Sequence, residues 1–136
     1  MSGARERLLI LYDGDCRFCA WALAWLLRFD RARLLRPVAI QSGEGARLLA
    51  DVPPERRLAS WHACDAGGLV GSGAAAVAPL LRRLPAGGPL AELADRFPRA
   101  TEAGYAWVAE HRSGLGGLVS AAAERRARAL IATRMH

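Results

Sequence analysis

The chain has 136 residues, of which 52% are hydrophobic and 24% charged, so it is long enough for one domain with a hydrophobic core and too short to suggest two. Its net charge of +6 comes from arginine alone, because no lysine occurs. The arginines are scattered along the chain, which predicts a generally basic, solvated surface and no nucleic acid as a partner.

The first predicted element is a buried strand followed by a helix. Leu8–Tyr12 is a run of five apolar residues that ends at a turn, as in a central parallel strand. Asp15 is the predicted N-cap of a helix that begins at Cys16 and runs to about Phe29 or Asp30. Because this helix is apolar on all sides, we expect it to be covered on more than one of them.

Further strand and helix patterns follow along the chain. They are a strand over Leu34–Ile40, a short helix over Gly45–Asp51, a hairpin of Arg57–Cys64 and Leu69–Val70 around Asp65–Gly68, and a helix from Gly73 or Ala74 to Leu84. The order βαβαββα predicts an α/β, thioredoxin-like fold with a mixed four-stranded sheet and additional C-terminal helices.

The C-terminal region reads as helical. Its predicted elements are helices over Leu90–Phe97 and Thr101–Arg112, a flexible joint over Ser113–Gly117, and an Ala/Arg-rich helix over Leu118–Thr133. We therefore predict a thioredoxin-like CxxC domain over residues 1–113 and a Gly-hinged, solvated basic helix or tail over residues 114–136.

The CxxC pair, Cys16 and Cys19, is the main candidate for chemistry. Three residues apart on a helix, the two side chains share a face and lie close enough to close a disulfide. The helix N-terminus and Arg17 favour a thiolate at Cys16, whereas Asp13 and Asp15 oppose it. In this interpretation Cys16 attacks a disulfide and Cys19 resolves the mixed disulfide.

The two acidic residues beside the pair each allow a structural and a chemical role. Asp13 either accepts the proton of Cys19 or serves as a turn residue with Gly14. For Asp15 the sequence favours the helix cap over a catalytic role. Trp21 and Trp25, one helical turn apart, are expected to pack in the core against the C-terminal helices.

Two alternatives without catalysis remain open. A zinc-stabilised module uses Cys16, Cys19, His62 and Cys64 as ligands, although an HxC pair on a strand lacks the turn that usually presents two of them. A basic interaction module uses the C-terminal arginines, which favour an acidic partner or anionic lipid. The favoured interpretation has no metal and no cofactor beyond the redox-active disulfide Cys16–Cys19.

The surroundings of the protein are predicted from what the sequence lacks. Met1–Arg7 carries no secretory signal, and the longest apolar stretch, Phe18–Leu27, is shorter than the roughly 18 residues of a transmembrane segment. We expect a cytoplasmic monomer or weak dimer. Its expected partners are a disulfide-containing protein or a small thiol, with an electron donor that the sequence does not identify.

The stretch Tyr12-Asp-Gly-Asp-Cys-Arg-Phe-Cys19 resembles the signature of the DCC family of predicted thiol-disulfide oxidoreductases. Members are small bacterial proteins, or domains of larger ones, with a thioredoxin-like fold. The resemblance covers about Leu8 to Arg112, more loosely through Gly71-Ser72 and Tyr105–Arg112. It implies that Cys16 and Cys19 are the catalytic cysteines and that Asp13 and Asp15 are the family's acidic residues. Tyr12, Arg17 and Phe18 are then expected to face the substrate.

Two departures from this pattern are visible. Thioredoxins have a cis-proline just before the third strand, and the nearest candidates here, Pro53 and Pro54, lie a few residues early. A polar or acidic residue often follows the Gly-Ser-like turn in the family, where this chain has Gly73. Substrate docking in the thioredoxin manner is therefore not implied for this chain.

Overall fold

The computed structural model describes residues 6–135 and shows a mixed α/β architecture. Its strands are β1 (Leu8–Tyr12), β2 (Leu35–Ala39), β3 (His62–Asp65) and β4 (Gly68–Ser72). Its helices are α1 (Arg17–Phe29), α2 (Gly43–Leu48), α3 (Pro54–Arg57), α4 (Val77–Arg82), α5 (Gly88–Arg96), α6 (Pro98–Gly116) and α7 (Ala121–Arg134). Positions 1–5, at the start of the predicted segment Met1–Arg7, and position 136, the last of the predicted C-terminal part, lie outside the described residues.

The four strands form one sheet in the order β2-β1-β3-β4. β1 lies inside the sheet, parallel to β2 and antiparallel to β3, and β3 and β4 form the antiparallel hairpin. This interior position explains why β1 is apolar throughout, since both of its faces are covered. The predicted βαβαββα order and mixed four-stranded sheet are confirmed, and the architecture is consistent with a thioredoxin-like fold.

Side chains alternate along β1 between two hydrophobic clusters. Leu8, Ile10 and Tyr12 pack on the side of α1, whereas Leu11 packs on the opposite face of the sheet. Cys64 of β3 is fully buried in this second cluster. The two faces of the sheet are therefore separate environments, and only the first leads to the CxxC helix.

The C-terminal helix α7 packs against α1, with Ile131 buried in the first cluster. The expectation of a solvated helix or tail is wrong, because α1 is apolar on all sides and α7 covers one of them. Two α7 arginines are also used internally, Arg128 donating to the Gly14 carbonyl at 2.8 Å and Arg134 to the Leu27 carbonyl at 3.2 Å. These contacts leave less of the basic run for a partner, which weakens the alternative of a basic interaction module.

Several element boundaries differ from the predicted ones. α6 continues through the predicted joint as far as Gly116, so the proposed division at residue 113 falls inside a helix. α2 begins at Gly43, because the Ser42 hydroxyl caps it by accepting the Gly45 N–H at 3.0 Å. Arg57 does not begin a strand but ends the short helix α3.

Asp30 organises the connection from α1 to β2. Its carboxylate is completely buried and accepts the backbone N–H groups of Leu34 at 2.9 Å and Leu35 at 2.8 Å. These donors lie where the chain reverses and enters the sheet, and the N–H of Leu35 is buried there, so the Asp30 carboxylate supplies the acceptor that it needs. Sequence analysis treated Asp30 only as a possible helix end.

None of the helices in residues 6–135 is both long enough and apolar enough to cross a membrane.

Candidate active site

The loop between β1 and α1 is held in one conformation by side-chain hydrogen bonds. Asp13 Oδ1 accepts the N–H of Asp15 at 3.0 Å, and the Asp13 carbonyl accepts the N–H of Cys16 at 3.1 Å. Gln41, which follows β2, accepts the Gly14 N–H through Oε1 at 2.9 Å and donates through Nε2 to Asp13 Oδ1 at 2.7 Å. Sequence analysis missed Gln41, and the available signal was a polar residue at the end of a parallel neighbour of β1.

Cys16, and not Asp15 as predicted, is the N-cap of α1. Its Sγ accepts the N–H of Cys19 at 3.2 Å. The reason lies in Asp13, whose side chain already turns the chain, so that Asp15 falls one residue before the cap and is exposed. The sulfur therefore lies at the positive end of α1 with the N–H of Cys19 directed at it.

Cys19 lies one turn deeper and is half-buried. Burial raises the pKa of its thiol from 9.0 to about 12, and the hydrogen bond and charge of Cys16 and the charge of Asp13 act in the same direction. The Arg112 guanidinium lowers this pKa. At neutral pH Cys19 is consequently a thiol, and it must lose a proton before it can attack another sulfur.

Two cavities of different character meet at the dithiol. The larger, of about 540 Å³, is the apolar groove, defined by Phe18, Trp21 and Trp25 of α1 and Tyr105, Val108 and Ala109 of α6. The smaller, of about 410 Å³, is the polar cavity, defined by Asp15, Cys16, Arg17 and Ser113. Asp13 and Arg112 line both cavities, and Cys19 lines the apolar groove.

The tryptophans of α1 line the groove instead of packing in the core as predicted. Trp25 is 43% exposed. The rings form a row along one side of α1, with centroid distances of 5.9 Å from Phe18 to Trp21, 6.2 Å from Trp21 to Trp25 and 6.3 Å from Trp25 to Phe29. Helical spacing identifies this face, but it does not reveal whether a neighbouring helix covers it.

The three residues predicted to face the substrate are divided between the two cavities. Tyr12 and Phe18 line the apolar groove, and burial raises the pKa of the Tyr12 hydroxyl while the Arg128 charge lowers it. Arg17 lines the polar cavity, where its Nε pairs with Glu124 Oε1 at 3.0 Å. This ion pair ties the residue beside Cys16 to helix α7.

Tyr105 and Arg112 bring α6 into the site, although neither was singled out as a functional residue. Tyr105 Oη accepts the N–H of Trp61 at 3.0 Å, and burial raises the pKa of its hydroxyl. Arg112 Nη2 donates to the Leu58 carbonyl at 2.8 Å. The seven-residue spacing, which places both side chains on one face of α6, was the available signal.

The segment before β3 closes one side of the apolar groove. Trp61 accepts the Gly73 N–H at 2.9 Å and donates its indole N–H to the Gly73 carbonyl at 2.8 Å. Gly73 has a φ of +60°, and a Cβ there would lie 3.4 Å from the Tyr105 ring, which suits glycine at this position. Pro53 and Pro54, the nearest candidates for the cis-proline of thioredoxins, lie at the start of α3 and not directly before β3.

The alternative zinc ligands do not come together. His62 and Cys64 pair with the β1 residues whose side chains face the second cluster. They therefore point to the face of the sheet opposite to α1. His62 is buried, with its ring nitrogens 2.7 Å from Ser72 Oγ and 2.8 Å from the Arg57 carbonyl. Within residues 6–135 no group of three or more His, Cys, Asp or Glu side chains is placed to hold a metal ion.

A dithiol at the strand-to-helix junction of this sheet is the arrangement of thioredoxin-like redox proteins. Residues 10–118 match the model of a family described as DCC1-like thiol-disulfide oxidoreductase. The match spans most of the chain, so the protein belongs to this family and the predicted resemblance is confirmed. Comparison with curated proteins and with solved structures finds no match.

Proposed function

We propose that this protein reduces or exchanges a disulfide through Cys16 and Cys19, with no cofactor beyond this redox-active pair. The observation that carries the proposal is the asymmetry of the two sulfurs. Cys16 Sγ receives an N–H at the start of α1, while Cys19 is half-buried with a raised pKa. Cys16 is placed to attack the substrate first, and Cys19, which is a thiol, reacts in the second step. Membership of the family supports the general class of reaction.

The reaction proceeds in two exchange steps. The Cys16 thiolate attacks one sulfur of the substrate disulfide, the substrate S–S bond breaks, and one substrate thiolate leaves. Cys19 then loses its proton and attacks Cys16 Sγ, which forms the Cys16–Cys19 disulfide and releases the second substrate thiolate. The two cysteines together lose two electrons, and the substrate gains them. An electron donor of the thiol class reverses the change in the protein.

Asp13 is the proposed acceptor of the Cys19 proton. It lines both cavities, and its charge acts on the Cys19 thiol. Its carboxylate is held by Gln41 and by the N–H of Asp15, so it is kept in place next to the dithiol. A carboxylate in this position serves as a general base for the Cys19 thiol, whose raised pKa means that it must lose its proton before it attacks.

Asp13→Asn is expected to slow the second exchange step at pH 7 and to give it a rate that rises about tenfold per pH unit between pH 7 and 9, because the thiol must then ionise unaided. In the wild-type protein this step should be nearly independent of pH in the same range. Release of the second equivalent of product thiol after rapid mixing measures this step. If Asp13 acts only through its charge, the variant is expected to be faster, since removal of that charge lowers the Cys19 pKa. A second exchange step that is faster in Asp13→Asn than in wild type would therefore rule out Asp13 as the base.

The asparagine retains an oxygen that accepts the Asp15 N–H, so the loop is expected to keep its conformation. Asp15→Asn removes the same charge two positions along the chain and measures the general effect of charge near the dithiol.

A disulfide in a protein or in a small molecule is the proposed substrate class, with a small thiol as a further partner, in the cytoplasm and with the protein as a monomer or weak dimer. The reducing cytoplasm favours a CxxC that acts as a transient catalytic disulfide. The polar cavity at Cys16 gives such a substrate access to the attacking sulfur.

Alkylation trapping across a thiol-disulfide buffer series tests the proposal, with mass spectrometry to locate the oxidised residues and metal analysis of the same sample. We expect a reversible two-electron transition confined to Cys16 and Cys19. Cys64, buried in the second cluster, is the internal control and should stay a thiol at every potential. Stoichiometric zinc with protected thiols, or no reversible disulfide, would refute the proposed function.

A further inference from the structure

The apolar groove has a direction. The Cβ position of Gly116, at the end of α6, lies 3.7 Å from the Phe18 backbone nitrogen near the start of α1, so the two helices meet beside the dithiol. Cys19 and Arg112 therefore lie at one end of the groove. Trp25, six residues further along α1, lies towards the other end, and Gly104 of α6 also lines the groove.

The lining of the groove separates one charged end from a long apolar body. Its walls are the α1 and α6 side chains that define the groove, and its floor reaches the buried Ile10 and Leu23. The Asp13 carboxylate lines the same cavity, but its Oδ1 accepts hydrogen bonds from Gln41 and from the Asp15 N–H, whereas Arg112 forms no ion pair with a carboxylate anywhere in residues 6–135. A positive charge at the end of an apolar cavity matches a ligand with one anionic group and an apolar body.

An extended peptide does not suit this groove. Peptides that bind along a strand use free backbone N–H and C=O groups of the host. Trp61, the residue before β3 that lines the groove, already has its N–H donated to Tyr105 and its carbonyl bonded by the Gly73 N–H. The volume of about 540 Å³ instead lies within the usual range for small-molecule pockets.

We infer that the apolar groove binds a small amphiphilic molecule, with its anionic group at Arg112 and its apolar body along Trp21 and Trp25. Because Asp13 and Arg112 line both the groove and the polar cavity that contains Cys16, a molecule with its anionic group at Arg112 also reaches the attacking sulfur, and the substrate of the dithiol is an apolar disulfide that carries an anionic group near its sulfurs. This substrate assignment rests on the proposed function, and the reaction is the two-step exchange given above. Binding itself requires no thiol chemistry.

Gly104 and Gly114 offer a matched pair of variants for testing the groove. Both lie on α6, and at both positions an added Cβ meets nothing within 4 Å, but only Gly104 lines the groove. The probe is 8-anilinonaphthalene-1-sulfonate, an apolar anion, titrated into wild-type protein. Gly104→Leu is expected to weaken its binding at least tenfold, and Gly114→Leu to leave it within twofold. Equal affinities for all three proteins, or no binding to folded wild type, would overturn the inference.

The role of Arg112 is tested with a second, uncharged probe, N-phenyl-1-naphthylamine. Arg112→Gln should weaken the sulfonate probe at least fivefold and leave the neutral probe within twofold. Equal losses of affinity for the two probes would show that Arg112 does not recognise an anionic group and would overturn that part of the inference. Circular dichroism verifies the fold of each variant, and Ala109→Leu, also on the groove wall, replaces Gly104→Leu if that variant does not fold.

Turnover separates this inference from the proposed function. The aromatic dicarboxylate 5,5′-dithiobis(2-nitrobenzoate) should lose at least fivefold more kcat/KM in Gly104→Leu than the neutral bis(2-hydroxyethyl) disulfide does. Equal losses would overturn the substrate assignment. Probe binding with the expected contrast but without disulfide exchange refutes the proposed function and leaves the binding site in place. Probe affinity that falls as protein concentration rises would instead identify a second copy of the chain as the occupant and overturn the inference.

Discussion

Cys16→Ser is expected to lower the second-order rate constant for disulfide reduction by at least about 1,000-fold, because a hydroxyl is not ionised at neutral pH and cannot form the mixed disulfide. Serine still accepts the Cys19 N–H as a helix cap, so the fold should be retained. The measurement is product thiol released per unit time under excess disulfide, with circular dichroism as the check on folding.

Cys19→Ser is the informative partner of this variant. It keeps the attacking sulfur but cannot resolve the mixed disulfide, so the protein should accumulate one substrate adduct on Cys16, visible as a mass increase. Cys64→Ala is the control, since Cys64 lies on the opposite face of the sheet. An adduct that forms on Cys19 in Cys16→Ser at the rate of the wild-type first exchange step would reverse the assigned roles.

Asp30→Ala is expected to destabilise the protein by about 3 kcal/mol, because the buried N–H of Leu35 and the partly buried N–H of Leu34 both lose their acceptor. The free energy of unfolding in urea measures the effect. Asp30→Asn retains one acceptor oxygen and should lose less. Asp51→Ala removes an exposed carboxylate in a turn and is the control, with an expected change within about 0.5 kcal/mol. A loss in Asp30→Ala no larger than in Asp51→Ala would contradict the assigned role.

Local sequence patterns were sufficient to predict the fold and the position of the dithiol. Leu8–Tyr12 is apolar throughout because β1 lies inside the sheet, and the helix that follows ends at Phe29, within the predicted range. The turn residues after Cys64 place the hairpin correctly. Such features depend on neighbours in the sequence, so they can be read from it.

The helix cap shows where local reasoning reached its limit. Asp15 has the right chemistry for an N-cap, but Cys16 takes that position because Asp13 turns the chain one residue earlier. Gln41, which comes from the next strand, holds that turn. Sequence analysis placed the cap at Asp15, and a turn held by a contact across the sheet moves it to Cys16.

The sequence by itself determined that a CxxC pair follows a central strand at the start of an apolar helix, since strand, turn and helix are each specified by adjacent residues. Only the tertiary structure decided what surrounds that pair. Packing of α7 on one side of α1 buries the C-terminal helix, while α6, lying across the other side, leaves the apolar groove and brings Arg112 to Cys19. These relations join residues about 90 positions apart, and spacing along a helix shows which side chains share a face but not what that face meets.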